Sequence, residues 1–237
     1  MTVSRAFLLA SILSLWATPL PAQQLLLPGP EERFVQDCEK CPKLVTLPDG
    51  LLMSQAPVTR GEFAVFVNET GFTQEEWGCK WNYPHFTQED DHPVVCISYN
   101  DAEKYVRWLN DKSGKTYRLP TVEEVRYAAM AGQSGNYWWG QAVGKNRANC
   151  TGCGSPFDGK GTSPVGTFGK NPFHLTDAVG NVWIWTTDCQ QGDCAQRNLV
   201  GGGWANPPAD LRVSKTIWNG VEIPFNTYGI RVVRNGD

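Results

Sequence analysis

Eight cysteines carry the first chemistry legible in this chain: Cys38, Cys41, Cys79, Cys96, Cys150, Cys153, Cys189 and Cys194. An even count suits a disulfide framework in an oxidising compartment, and their order suggests four local pairs, 38–41, 79–96, 150–153 and 189–194. Order alone does not fix connectivity, and a zinc site from Cys38-x-x-Cys41 and Cys150-x-x-Cys153 is the alternative that the spacing allows. Neither pair lies between a strand and a helix of a βαβ unit, which argues against a thioredoxin-like role. The three histidines, His85, His92 and His174, form no His-x-x-x-His pair and read as structural or surface residues. Ser98, Ser163 and Ser214 sit in no nucleophile-elbow motif. Asp158, Asp177 and Asp188 lack the pairing that acid–base catalysis needs.

The elements around these residues give the context. Residues 1–22 read as a secretory signal peptide. Arg5 supplies the positive start, Ala6–Trp16 is an apolar run broken only by Ser11 and Ser14, and Pro19, Pro21 and Ala22 close it for cleavage after Ala22. That run falls short of the roughly 20 residues a membrane span needs, and no later segment could span a bilayer, so no transmembrane segment is expected after cleavage. A periplasmic or secreted location follows. Residues 23–37 read as an amino-terminal lead with little order, and residues 38–237 as one domain. The formal net charge is −3 with Lys and Arg scattered, so nucleic acid is not an expected partner.

Three helices are expected. Thr59 with Glu62 three residues on makes a capping box, and Gly71 ends that helix. Asn100 caps a second, whose stripe is Ala102, Tyr105, Val106 and Leu109 and whose stop is Gly114. Thr121 with Glu124 opens a third that ends near Gly132. Beyond it the chain is rich in Gly, Asn, Pro and aromatic residues, with short β-like pieces at 164–168, 182–186, 199–204 and 229–234.

Six strings in order then point to a family: Val58-Thr-Arg-Gly-Glu-Phe63, His92-Pro-Val-Val-Cys-Ile-Ser-Tyr-Asn-Asp-Ala102, Tyr117-Arg-Leu-Pro-Thr-Val-Glu-Glu124, Asn171-Pro-Phe-His-Leu-Thr-Asp-Ala-Val-Gly-Asn-Val-Trp183, Gly201-Gly-Gly-Trp204 and Gly229-Ile-Arg231. Over about residues 38–234 the chain resembles the formylglycine-generating-enzyme, or sulfatase-modifying-factor, domain. The resemblance implies an irregular α+β fold of the C-type-lectin-like kind, with few helices, short strands and long loops. In the oxidising members two cysteines five residues apart, soon after a Gly-Gly turn, hold Cu(I). Here those positions match Leu211 and Thr216, and no cysteine follows Cys194. Copper and the sulfatase-cysteine oxidation are therefore not expected. Members that oxidise sulfur with iron use a three-His site on an additional helical domain, which this chain lacks.

The resemblance also implies calcium. A first site would take the side chains of Asn149 and Asp158 and the carbonyls of Cys150 and Lys160, in a loop that Gly152, Gly154, Gly159 and Gly161 allow to wrap an ion. A second would take Asp177 and the carbonyls of Gly180 and Val182, but Ile184 stands where a Glu is needed, so this site is expected to be weak. Trp183, Trp185 and Trp204 read as core. Trp218, Phe225 and Tyr228, in a Gly/Asn/Pro-rich stretch with Arg212 and Lys215, read as a recognition surface for a protein or small-molecule ligand. The function expected is a calcium-stabilised binding or accessory protein. The alternatives are a periplasmic oxidative-maturation enzyme of other chemistry, as some relatives without the copper cysteines are, and a lectin-like binder.

Overall fold

Thr59, Ser98 and Thr121 start the three helices by one device. Each side-chain oxygen accepts a hydrogen bond from the backbone N–H three residues on, while Glu62, Asp101 and Glu124 accept one from the backbone N–H of the cap. Two donors that a helix start leaves unpaired are satisfied each time. The helices are α1 (Arg60–Thr70), α2 (Tyr99–Ser113) and α3 (Val122–Met130). Gly71 and Gly114 stop the first two in the left-handed region, at φ 66° and 68°, and Ala131 stops the third. The second cap is Ser98 rather than Asn100: Asp101 is its box partner, and Asn100 already lies in the first turn.

The computed structural model describes residues 33–236, so the expected signal peptide lies outside the described residues. Two sheets are formed by β1 (Phe34–Val35), β2 (Leu44–Thr46), β3 (Leu51–Ser54), β4 (Tyr117–Arg118), β5 (Trp183–Gln190), β6 (Asp193–Val200), β7 (Thr216–Gly220), β8 (Tyr228–Gly229) and β9 (Val233–Asn235). The first has the order β1-β2-β3-β9-β4 and the second β7-β6-β5-β8, with β8 parallel to β5. The architecture is the α+β arrangement expected. The lead expected over 23–37 is ordered where it is described: Phe34–Val35 pair with β2, and the Asp37 carboxylate accepts from Arg234 at 2.8 and 3.0 Å.

Strand alternation gives the second sheet two apolar faces. Trp183, Trp185, Leu199 and Tyr228 enter the main core with Phe63, Phe66, Tyr105 and Trp108 of α1 and α2. Ile184 and Val200, one residue out of phase, pack with Val122 and Val125 of α3. Trp183 and Trp185 are buried as expected, and Trp204 is half-buried.

Three strand expectations need correction. Residues 164–168 form a turn, because Pro164 has no N–H and Gly166 takes φ 83°. Only Leu199 and Val200 of 199–204 are strand, since Gly201 and Gly202 turn out of the sheet at φ 107° and 78°. Residues 229–234 divide between β8 and β9, because Arg231 between them turns into the interior.

All eight cysteines are paired, 38–41, 79–96, 150–153 and 189–194. These are the expected pairs, and they remove the zinc alternative, since no thiolate remains to ligate a metal. Four disulfides fit an extracellular protein. Among the described residues no helix is long and apolar enough to cross a membrane.

Candidate functional site

The turn at Gly201–Gly203 leads β6 into a short 3-10 turn, Pro208–Leu211. Leu211 is fully buried with Ala129, Tyr137, Ala148, Val179 and the Cys150–Cys153 disulfide. Its side chain fills the space left by two glycines: a Cβ on Gly202 would stand 2.7 Å from Leu211 Cδ1, and one on Gly180 3.1 Å from Cδ2. Thr216 lies elsewhere, at the start of β7, where its Oγ1 accepts from Arg126 Nη2 at 2.7 Å. The same guanidinium donates to the carbonyls of Val213 and Ser214. One position is thus apolar filling and the other is held by an arginine of α3. Neither offers a soft donor, and every cysteine is consumed in a disulfide. The residues present do not fit a Cu(I) centre.

The loop expected to wrap calcium is built around Asp158. Its Oδ1 accepts from Gly152 N–H at 2.8 Å and its Oδ2 from Gly154 N–H at 2.7 Å. These two bonds hold its pKa below the usual carboxylate value. Asn149 is fully buried; its Oδ1 accepts from Ser155 Oγ at 3.3 Å and its Nδ2 donates to the Gly161 carbonyl at 2.9 Å. The Lys160 side chain turns back to the Pro156 carbonyl, 3.1 Å away. A carboxylate oxygen has two lone pairs, so each Asp158 oxygen keeps one after these bonds, as Asn149 Oδ1 does. Hard oxygens of this kind suit calcium by type, with one formal negative charge among them.

Asp177 is buried, with its Oδ2 accepting from Gly166 N–H at 2.6 Å and its Oδ1 from Asn181 Nδ2 at 3.2 Å. Burial pushes its carboxyl up, against those bonds and the nearby charge of Arg231. Burial likewise brings Arg231 down to about 10, with the Asp177 charge opposing. The Arg231 guanidinium donates to the carbonyls of Ser54, Thr176 and Asp177. The Gly180 carbonyl accepts from Val182 N–H at 2.8 Å. Ile184 lies in the apolar cluster under α3, so no carboxylate reaches Asp177 from that position.

The five residues read as a recognition surface do not share one face. Thr216 and Trp218 alternate with Ile217 and Asn219 along β7, and Asn219 Nδ2 donates to Tyr228 Oη at 3.2 Å. Tyr228 is buried, its ring 5.1 Å from Phe225 and 5.3 Å from Trp185. Phe225 therefore joins Tyr228, while the exposed Trp218 belongs to the opposite alternation. Arg212 is exposed, and Lys215 lies 3.9 Å from Asp210.

Residue-type reasoning missed Asn181. It takes φ 68°, is fully buried, and binds Asn149, Ser163 and Asp177 with one amide. The available signal was an Asn after Gly180 before a buried strand, since Asn tolerates the left-handed region.

Such a fold is that of a sulfatase-modifying-factor domain. The chain belongs to this family: the model of the sulfatase-modifying factor enzyme 1-like domain matches residues 16–236. The formylglycine-generating enzyme of Mus musculus is 30% identical over 219 residues, 72% of this chain and 57% of the relative. The inactive C-alpha-formylglycine-generating enzyme 2 of Bos taurus is 41% identical over 123 residues, 48% of this chain and 39% of the relative. The chain thus covers little more than half of one relative and less of the other. The solved structure of PvdO from Pseudomonas aeruginosa superposes with a TM-score of 0.75 at 26% identity, covering 85% of this chain and 97% of that one. A formylglycine-generating enzyme and an inactive relative both match this chain, so family membership does not choose between them.

Proposed function

We propose that this chain is an exported, calcium-stabilised binding or accessory member of the family that does not oxidise sulfatase cysteines. The observation that carries the reading is the fate of the thiols: all eight are in disulfides and none follows Cys194, and the family resemblance sets Leu211 and Thr216 against the copper-holding cysteines. The likeness to an inactive bovine relative supports it. Calcium would be held by Asn149, Asp158 and the carbonyls of Cys150 and Lys160, where it would staple a loop that has no regular structure. Asp177 with Gly180 and Val182 makes at most a charge-poor second site.

Two measurements on the mature protein test this. Incubated aerobically with copper and a sulfatase-type cysteine peptide, it should form no aldehyde, and formation of formylglycine would sink the reading. Elemental analysis after native purification should find about one calcium per chain; stoichiometric copper or iron would reverse it. The second reading is an oxidative-maturation enzyme of other chemistry. It requires substrate-dependent oxygen uptake with phenolic compounds.

A further inference from the structure

Residues 72–92 link α1 to the segment before α2 with no regular element beyond one bridge between Lys80 and Tyr83. Connections this long without helix or strand tend to carry function. This one is fastened along its whole length. Cys79 is bonded to the buried Cys96, and Gln74 donates to the Cys96 carbonyl and accepts from Trp81 N–H. Asn226 Nδ2 donates to the Pro84 carbonyl at 3.2 Å, and the Phe86 ring meets Trp204 at 5.1 Å. Gln88 Nε2 donates to the Pro93 carbonyl and to Thr162 Oγ1.

A loop so held nevertheless leaves the Tyr83 ring 66% exposed, supported edge-on by His85 at 5.0 Å. The ring lines an open cleft of about 440 Å³ together with Arg60, Asn82, Pro84, His85, Phe86, Thr87 and Gln88. The charge there is neutralised, since Arg60 pairs with Asp90 at 2.6 Å. What remains is a flat π face beside the Asn82 amide and the Thr87 hydroxyl. Gln88 is turned inward, its Nε2 engaged by Pro93 and Thr162 and its Oε1 buried, so it serves to fasten the loop.

We infer that this cleft binds a neutral saccharide, its C–H face stacked on Tyr83 and its hydroxyls bonded to Asn82 and Thr87. An anionic or cationic ligand would give up its hydration without gaining an unpaired counter-charge. A planar aromatic ligand buries best in an enclosed apolar slot, and this cleft is open. A sugar ring has one apolar face and a polar edge, which is the pattern presented. The lining offers no set of carboxylate ligands, so binding does not require calcium. The inference rests on the chain being a binding protein, but it uses no residue of the loop at 149–161.

The test is the full mature chain on an array of neutral oligosaccharides built from glucose, galactose, mannose and N-acetylglucosamine, with hits titrated calorimetrically in calcium and in EDTA. The expected result is binding that EDTA leaves intact, that Tyr83→Phe retains and that Tyr83→Ala weakens about tenfold. Tyr127→Ala, a change at an exposed ring on α3, should leave affinity unchanged. The inference is overturned by silence toward all neutral saccharides, by affinity indifferent to Tyr83→Ala, or by binding abolished in EDTA. Aldehyde formation would overturn the functional reading instead, and the array result stands apart from it.

Discussion

Asn149 Nδ2 donates to Asn181 Oδ1 across 3.2 Å, with both side chains fully buried. Asn181 Nδ2 then donates to Asp177 Oδ1 and to the Ser163 carbonyl. The two candidate cation loops, separate in sequence, are therefore a single hydrogen-bonded body, and what loosens one reaches the other.

Removing the hub should show this. Asn181→Ala leaves the Asn149 amide, the Asp177 carboxylate and both backbone groups of Ser163 short of a partner, and should cost about 3 kcal/mol. Urea unfolding of the variant measures it. A loss below about 0.5 kcal/mol, the size of an ordinary surface change, would mean the network is not coupled.

The loop around Asp158 has a pH signature. Its folded pKa is depressed, so its contribution is complete above the unfolded value of 3.8 and is lost as pH falls through the lower folded value. The amide protons of Gly152 and Gly154 should stay protected at mildly acidic pH and exchange freely only below that window. Asp158→Asn should remove the acid dependence and, with it, any rise in Tm on adding calcium. At calcium one hundred times above its Kd the wild-type gain would be about 2.7 kcal/mol.

Leu211 is structural filling between Gly180 and Gly202. Leu211→Ala should destabilise by about 3 kcal/mol. Gly202→Ala should cost at least about 2 kcal/mol, because its Cβ would meet Leu211 while φ sits at 78°. Equal Tm values for these variants and the wild type would show that the contact is loose.

The Cys79–Cys96 bond closes the loop that bears Tyr83, across a sequence separation of 17. Replacing both with Ala should cost about 3 kcal/mol and make residues 73–90 the first site of limited proteolysis. Unchanged cleavage would mean that Gln74, Gln88 and Asn226 suffice to hold the loop.

Local signals were legible because local physics made them. The boxes at Thr59–Glu62 and Thr121–Glu124 need only residues three apart, and the family strings carry the fold class. Asn100 was a misreading of two good caps two residues apart, which the Asp101 partner decides for Ser98. The sheets were harder to read. β2 and β3 are three and four residues long, and β9 lies between β3 and β4 from the far end of the chain. Nor does sequence reveal that Trp218 and Tyr228 fall in opposite alternations, since that depends on cross-strand register. Tyr83 escaped notice because its exposure comes from how its loop is fastened.

The placement of β9 sets an order of events. Leu52 pairs with Arg234, and Asp37 is locked to the same arginine, so the first sheet joins residues almost two hundred positions apart. No segment emerging early from a ribosome can complete that sheet alone. The sheet that β1, β2 and β3 begin is closed only when β9, the last strand of the chain, pairs between β3 and β4.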